Sequence, residues 1–380
     1  MDPWWWLSLV EKRHGPVQRG NRWYSRLLFS GLALAMVFTT SNAMARVDRP
    51  DPIGSDKFLA SAPYSGDFPD PSVLRVGNTF YAYGTTINYL NLPVLSSTDL
   101  ITWTARATND PARWWLNDAM PTTGSWSEIT QVGLRTFGAT WAPHVVQRGR
   151  YFVAAYSAPI RDGGGRRCIG IAAATSPIGP FVDSSPVPVV CPPNQGVIDP
   201  FILVDRRRMY LLWKGDTDSI LYSVRLVNQA GTFVLTGPSK ALLWVKQPWE
   251  GSIIENPAMI RYRGKLRLFY SANNYTTANY ATGLANCRTP LGPCRRVGAK
   301  PFMASKWGLA GPGGASPFLG RGGRLYLVYH AWRAGQTGYP SSAVCRTTAI
   351  GCAQRRMYIA TVGKGRRGGL RLTKMYLNGP

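Results

Sequence analysis

Apolar and polar positions along this chain fall into one pattern that recurs five times. Each copy opens on a residue followed by proline, runs through a few mostly apolar residues, turns, and returns through an aromatic-rich run. The first copy is Asp70-Pro71-Ser72-Val73-Leu74 leading to Phe80-Tyr81-Ala82-Tyr83, and the second is Ala142-Pro143-His144-Val145-Val146 leading to Tyr151-Phe152-Val153. The third is Asp199-Pro200-Phe201-Ile202-Leu203 leading to Met209-Tyr210-Leu211-Leu212-Trp213. The fourth is Asn256-Pro257-Ala258-Met259-Ile260 leading to Leu266-Arg267-Leu268-Phe269-Tyr270, and the fifth is Ser316-Pro317-Phe318-Leu319 leading to Leu325 through His330. Short β-branched and aromatic runs on either side of a turn at Gly77, Gly149, Arg207, Gly264 or Gly322 predict a β-hairpin in each copy. The prolines are 72, 57, 57 and 60 residues apart, and a period of about 60 is that of one four-stranded blade with its connecting loop. No stretch keeps a helical period. The expected fold is an all-β, five-bladed β-propeller forming one domain over residues 65–380.

Composition agrees with this and adds a location. The 380 residues are 12% aromatic and only 17% charged, with 40 Gly and 29 Pro, which suits a folded β-rich chain and excludes disorder. Lys12, Arg13, Arg19, Arg22 and Arg26 precede an apolar run from Leu27 to Phe38 and a small-residue site at Ala43-Met44-Ala45. That is the order of a secretion signal over residues 1–45, cleaved after Ala45. The apolar run falls short of the roughly 20 residues of a membrane span, and the long basic stretch before it leaves an uncleaved N-terminal anchor as the alternative. On either reading the folded part lies outside the cytoplasm, with residues 46–64 as a lead-in.

Of 44 basic and 19 acidic residues the signal holds five and two, so its removal lowers the net charge only from +25 to +22. Such a charge attracts polyanions. Yet Arg206-Arg207-Arg208, Arg295-Arg296 and Arg366-Arg367 fall at predicted turns, and no basic helix, zinc finger or RNA-binding motif is present. A solvated basic surface facing an anionic cell wall or matrix is expected on a monomer, without nucleic-acid binding. All six cysteines follow the signal. In an exported chain short loop closure favours the pairs Cys168–Cys191, Cys287–Cys294 and Cys345–Cys352 among the connectivities they allow. Beyond the signal the only histidines are His144 and His330 and no Cys-x-x-Cys occurs, so no zinc or other metal site is expected.

In a propeller the innermost strand of each blade lines the central channel, so residues opening those strands converge at one mouth. The residues before the five prolines are Asp70, Ala142, Asp199, Asn256 and Ser316, with Glu255 one step further back. Singly, an Asp before Pro reads as a turn opener. Together, three carboxylates from three blades supply a pair whose pKa values can be pushed apart into an acid and a base, as glycosidic hydrolysis requires.

These residues carry a resemblance. Phe68-Pro69-Asp70-Pro71-Ser72-Val73, Val197-Ile198-Asp199-Pro200 and Ile254-Glu255-Asn256-Pro257 resemble the first-, third- and fourth-blade motifs of glycoside hydrolase family 43. Trp141-Ala142-Pro143 and the segment Ser96 to Trp103 are similar to further family segments. The resemblance implies a five-bladed propeller acting on arabinose- or xylose-containing polysaccharides, with Asp70 as general base, Glu255 as general acid and Asp199 raising the pKa of the acid and orienting it. It implies single-displacement hydrolysis with inversion and no required cofactor. A secreted α-L-arabinofuranosidase is the expected activity; a lectin or adhesin that binds sugar without cutting it is the alternative, one that has no need of three carboxylates. Many family members have a His in the glycine-rich fifth-blade segment that helps hold a calcium ion; here Gly311-Pro312-Gly313-Gly314-Ala315-Ser316 has none, which puts a structural calcium in doubt. Glu250 competes with Glu255 for the role of acid, but it precedes the repeat and is expected in a connecting loop. Trp141, with Phe68 and Trp249 behind it, is the expected sugar-stacking aromatic. The insert holding Arg113-Trp114-Trp115 and Ser125-Trp126-Ser127-Glu128 is expected to narrow the mouth and favour exo action.

Overall fold

The computed structural model of the protein describes residues 66–87, 89–105, 118–339, 353–365 and 369–375. The signal, the lead-in, the Cys345–Cys352 pair and Arg113-Trp114-Trp115 lie outside the described residues. Blade one comprises β1 (Ser72–Val76), β2 (Thr79–Tyr83), β3 (Val94–Ser97) and β4 (Thr104–Ala105). A small hairpin follows, β5 (Thr130–Val132) and β6 (Arg135–Phe137). Blade two is β7 (Trp141–Arg148), β8 (Tyr151–Pro159) and β9 (Arg167–Ala174), extended by a bridge between Ala173 and Val182. Blade three has β10 (Val197–Asp205), β11 (Arg208–Gly215), β12 (Leu221–Gln229) and β13 (Thr232–Leu243). Blade four has β14 (Ile254–Tyr262), β15 (Lys265–Ala272), β16 (Ala281–Cys287) and β17 (Cys294–Arg296). Blade five has β18 (Leu309–Leu319), β19 (Leu325–Arg333), β20 (Arg356–Lys364) and β21 (Leu370–Lys374).

Each blade is an antiparallel meander in chain order. The inner strands β1, β7, β10, β14 and β18 contact one another in sequence, and β18 returns to β1, closing a five-bladed propeller. Closure is reinforced where Phe68 donates its N–H to the Arg355 carbonyl at 2.9 Å. The inner strands are apolar on both faces because blades stack face to face. Five apolar clusters result, one per blade interface. In the cluster joining blades five and one, the Phe80 and Phe318 rings meet edge to face at 6.1 Å. Removing one such ring costs about 3–5 kcal/mol. Cys168–Cys191 and Cys287–Cys294 form as expected, tying the edges of blades two and four.

Candidate active site

The same local device starts the inner strands. The ladder skips two residues between Trp141 and His144, Ile198 and Phe201, Glu255 and Ala258, and Gly313 and Ser316. At each bulge one residue takes a left-handed backbone: Ala142 (φ 42°), Asp199 (57°), Asn256 (47°) and Gly314 (59°), with Asp70 (49°) in the same place before β1. A bulge of this kind re-aims its side chain, here into the mouth. For residues other than glycine it costs on the order of 1 kcal/mol, a cost that clusters at functional sites.

Blade five corrects the sequence reading. Its left-handed residue is Gly314, so the repeat runs Gly314-Ala315-Ser316, and Ser316 lies one step down the channel rather than at the mouth. A Cβ at Gly314 would meet His330 Nδ1 at 2.6 Å and Asp70 Oδ1 at 3.2 Å. Blade five therefore sends no side chain from this position and leaves the space to Asp70 and His330.

Asp70, Asp199 and Glu255 line one cavity of about 310 Å³ together with Trp141, Arg355, Tyr275 and Tyr339. Asp70 Oδ2 accepts the Thr85 hydroxyl at 2.7 Å, and Thr85 Oγ1 in turn accepts the Ala142 N–H at 2.8 Å, so the bulge of blade two orients a donor onto the carboxylate of blade one. The Asp70 N–H donates to His330 Nδ1 at 3.0 Å. Burial drives the His330 pKa down to about 3, and Arg355 adds to this; with Nδ1 accepting, its 3.4 Å approach to Asp70 Oδ1 is a neutral contact and no ion pair. Burial works to raise the Asp70 carboxyl, but Arg355 and the Thr85 and Asn256 hydrogen bonds outweigh it and hold it below the ordinary carboxylate value.

Asp199 is held the other way. Burial, then Glu255 and Asp70 as like-charged neighbours, push its carboxyl well above the usual range against the pull of Lys214. Its Oδ2 accepts the Asn256 N–H at 2.9 Å, clasping the main chain directly after Glu255. Glu255 accepts the Tyr280 hydroxyl at 2.7 Å and the Lys214 ammonium at 3.3 Å. Tyr280 stacks on His330 with ring centroids 5.8 Å apart, linking the surroundings of Asp70 and Glu255.

Three aromatic expectations separate. Trp141 lines the cavity and is 41% exposed, with the Arg167 guanidinium 3.2 Å from the centre of its ring. Phe68 is fully buried in the cluster between blades one and five, because the turn at Pro69-Asp70 points it away from the mouth. Trp249 packs on Tyr270 in the cluster between blades three and four, outside the cavity. Neither is a stacking platform. Trp126 is likewise core, stacked on Tyr156 with its Nε1 donating to Asp183, so this part of the insert does not narrow the mouth. Glu250 is fully buried and paired with Arg296 at 2.5 Å, also accepting the N–H groups of Lys246 and Gln247 and the Tyr270 hydroxyl. It is a structural carboxylate.

Asp67, Thr85, Lys214, Tyr275, Tyr280, Tyr339 and Arg355 are residues that the repeat did not single out. Arg355 is pinned by its N–H to Asp67 Oδ1 at 2.7 Å and by Nε to the Tyr339 hydroxyl at 2.8 Å. For a metal the fit is poor. Among the described residues no group of three or more His, Cys, Asp or Glu side chains is placed to hold a metal ion, and His144, the imidazole in the channel, already accepts the Ile202 N–H at Nδ1.

Known proteins share this fold. A segment of 118 residues, 30% of this chain, is 34% identical to an extracellular endo-alpha-(1->5)-L-arabinanase of Thermotoga petrophila, of which it covers 22%. The chain thus spans about a fifth of that relative. A thermostable family-43 glycoside hydrolase superposes with a TM-score of 0.65 at 24% identity over 83% of this chain and 95% of that one. An alpha-L-arabinofuranosidase from Lactobacillus brevis gives 0.61 at 16% identity over 82% and 96%. Both likenesses are of fold. The profile described as Glycosyl hydrolases family 43 matches residues 62–352, and with its propeller and its three-blade carboxylate cavity the chain belongs to that family.

Proposed function

We propose that this protein is a secreted, inverting α-L-arabinofuranosidase that removes terminal arabinose from polysaccharides or oligosaccharides. The observation that carries the reading is the meeting of Asp70, Asp199 and Glu255, from blades one, three and four, in one cavity of about 310 Å³ beside exposed Trp141. That volume lies at the low end for ligand pockets, suiting a terminal sugar better than the middle of a polymer. The name of the 34%-identical relative, an extracellular arabinanase, supports arabinose over xylose and supports export, while enzymes named for xylan and for arabinan share the fold alike.

Asp70, ionised by its pairing with Arg355, deprotonates a water that attacks the anomeric carbon. Glu255 gives a proton to the departing oxygen from the other face, and inversion needs about 6.5–9.5 Å between the two carboxyls for the water. Asp199, its carboxyl pushed up by burial and by its like-charged neighbours, clasps the main chain directly after Glu255 and so fixes where the acid stands. Trp141 supplies the sugar-stacking face. No cofactor enters.

The test is hydrolysis of 4-nitrophenyl α-L-arabinofuranoside, the β-D-xyloside and linear arabinan, with the product anomer followed by NMR. Release of single arabinose units with inverted configuration, abolished in Asp70→Asn, is expected. Larger arabinan fragments would turn the reading to endo action, and no cleavage by a folded protein would turn it to a binding propeller.

A further inference from the structure

The inner strands start at the mouth and run away from it, so the five turns joining first and second strands share the opposite face. Every one carries arginine, either in the turn or within two residues of it. Four of these arginines bind neighbouring tips: Arg148 Nη2 donates to the Arg207 carbonyl at 3.1 Å, Arg261 forks onto Asp205 at 2.6 and 2.8 Å, Arg75 reaches the Gly320 carbonyl at 3.3 Å, and Arg321 reaches the Asn78 carbonyl at 3.3 Å. Others, Arg150, Arg206, Arg207, Arg208, Arg263 and Arg324, stand exposed. The one carboxylate at these described tips, Asp205, is already taken by Arg261. Between blades three and four the face sinks into a cavity of about 520 Å³ lined by Arg206, Arg208, Tyr210, Arg261 with the Asp205 carboxylate it holds and, from the turn after β16, Arg288.

Backbone strain marks the same place. At the tip of blade three, Arg206 (φ 49°) and Arg207 (φ 75°) are both left-handed, the two central residues of a tight turn that favours Asn-Gly. The tips of the other blades place glycine at a left-handed position, Gly77, Gly149, Gly264 and Gly322, with Arg263 (φ 49°) also left-handed before Gly264, so only blade three has both turn positions filled by arginine. Two arginines here cost on the order of 1 kcal/mol each where glycine would cost little. Charge at this tip is kept at the expense of stability.

We infer that this arginine face is a second binding site, taking a carboxylate-bearing polysaccharide, with a uronate residue seated in the cavity between blades three and four. A guanidinium fork matches a carboxylate with two parallel hydrogen bonds. The cavity has the size of a sugar residue with a neighbour, and the Tyr151 and Tyr262 rings that could stack nucleic-acid bases each have an arginine over one face, Arg150 at 4.9 Å and Arg263 at 5.4 Å. Choosing a polysaccharide over other polyanions rests on the proposed carbohydrate-cleaving mouth; the arginine face itself does not. Bound this way, the enzyme is anchored to an acidic glycan with its mouth free on the other side.

The experiment is retention of the protein on cross-linked polygalacturonate under a salt gradient, using the Glu255→Gln background so that binding is read without hydrolysis. Arg206→Ser/Arg208→Ser/Arg288→Ser should weaken binding about tenfold, because three cations around one cavity are removed together. A matched triple on the mouth-side connections, Lys246→Ser/Lys300→Ser/Lys306→Ser, should elute as the parent does. Arg206→Asn/Arg207→Gly should bind more weakly yet melt at a higher temperature. Equal losses in the two triples would reduce the effect to net charge and overturn the site. Tighter retention on DNA-cellulose or on phosphatidylserine vesicles than on polygalacturonate would overturn the choice of partner.

Discussion

The Arg355 guanidinium lies 3.5 Å from both carboxyl oxygens of Asp70, across 285 residues of chain. It is the main reason that a mostly buried carboxyl stays ionised. If Asp70 is the base, kcat/KM falls as pH drops through its pKa, and removing the cation raises that pKa. Arg355→Met should therefore move the acid limb of the kcat/KM profile to higher pH, with Arg355→Lys between the two. An unmoved limb in a folded Arg355→Met protein would mean that Asp70 is not the group titrating there.

Acid and base can be told apart by the leaving group. A poor leaving group needs a proton and a nitrophenolate barely does. Glu255→Gln should lose about 10²- to 10⁴-fold on arabino-oligosaccharides but far less on 4-nitrophenyl arabinofuranoside. Asp70→Asn should lose similarly on both, because attack by water is common to them. Matching losses on both substrates in Glu255→Gln would remove it from the role of acid.

The repeat was legible because in four blades the left-handed residue that opens the inner strand stands directly before a proline. Blade five misled because Ser316-Pro317 copies the letters of the motif two residues late; the left-handed residue there is Gly314, and a glycine in a run of glycines gives no signal of its own. Proximity in number also misled. Phe68 and Asp70 are two residues apart, yet the chain reversal between them sends one to the core and one to the mouth. Asp67, Tyr339 and Arg355 had no pattern to betray them, since they meet only where the start and end of the chain close the ring. Trp249 and Glu250 looked exposed because their segment has no strand period, but a short helical turn folds them onto Tyr270.

Glu250 supplies the matching negative test. Burial opposes its charge, but Arg296, the Gln247 and Lys246 N–H groups and Tyr270 hold its pKa below the ordinary value. Its contribution to stability is therefore present above the unfolded carboxylate pKa and lost as pH falls through the folded one. Glu250→Ala leaves Arg296 buried without its partner and should cost about 3–5 kcal/mol in denaturant unfolding. The kcat of the folded fraction should be close to that of the parent. A stable but inactive Glu250→Ala protein would reopen its candidacy as the acid.

His144 gives a pH signature that is independent of activity. It is buried in the channel, its ring tilted against Phe201 with centroids 3.8 Å apart, and its pKa is driven to about 3 by burial against about 6.5 in the unfolded chain. Between those values the unfolded state binds the extra proton, so stability is full above about pH 6.5 and falls as pH drops, by up to about 1.4 kcal/mol per unit. Asn can accept the Ile202 N–H in place of Nδ1 and does not titrate. From pH 7 to 4.5 the wild-type Tm should fall about 5 °C more than that of His144→Asn, the carboxylates contributing equally to both. Parallel curves would mean that the channel admits a proton and its water to His144 at little cost, and that the axis of the propeller is wetter than its proline-lined walls suggest.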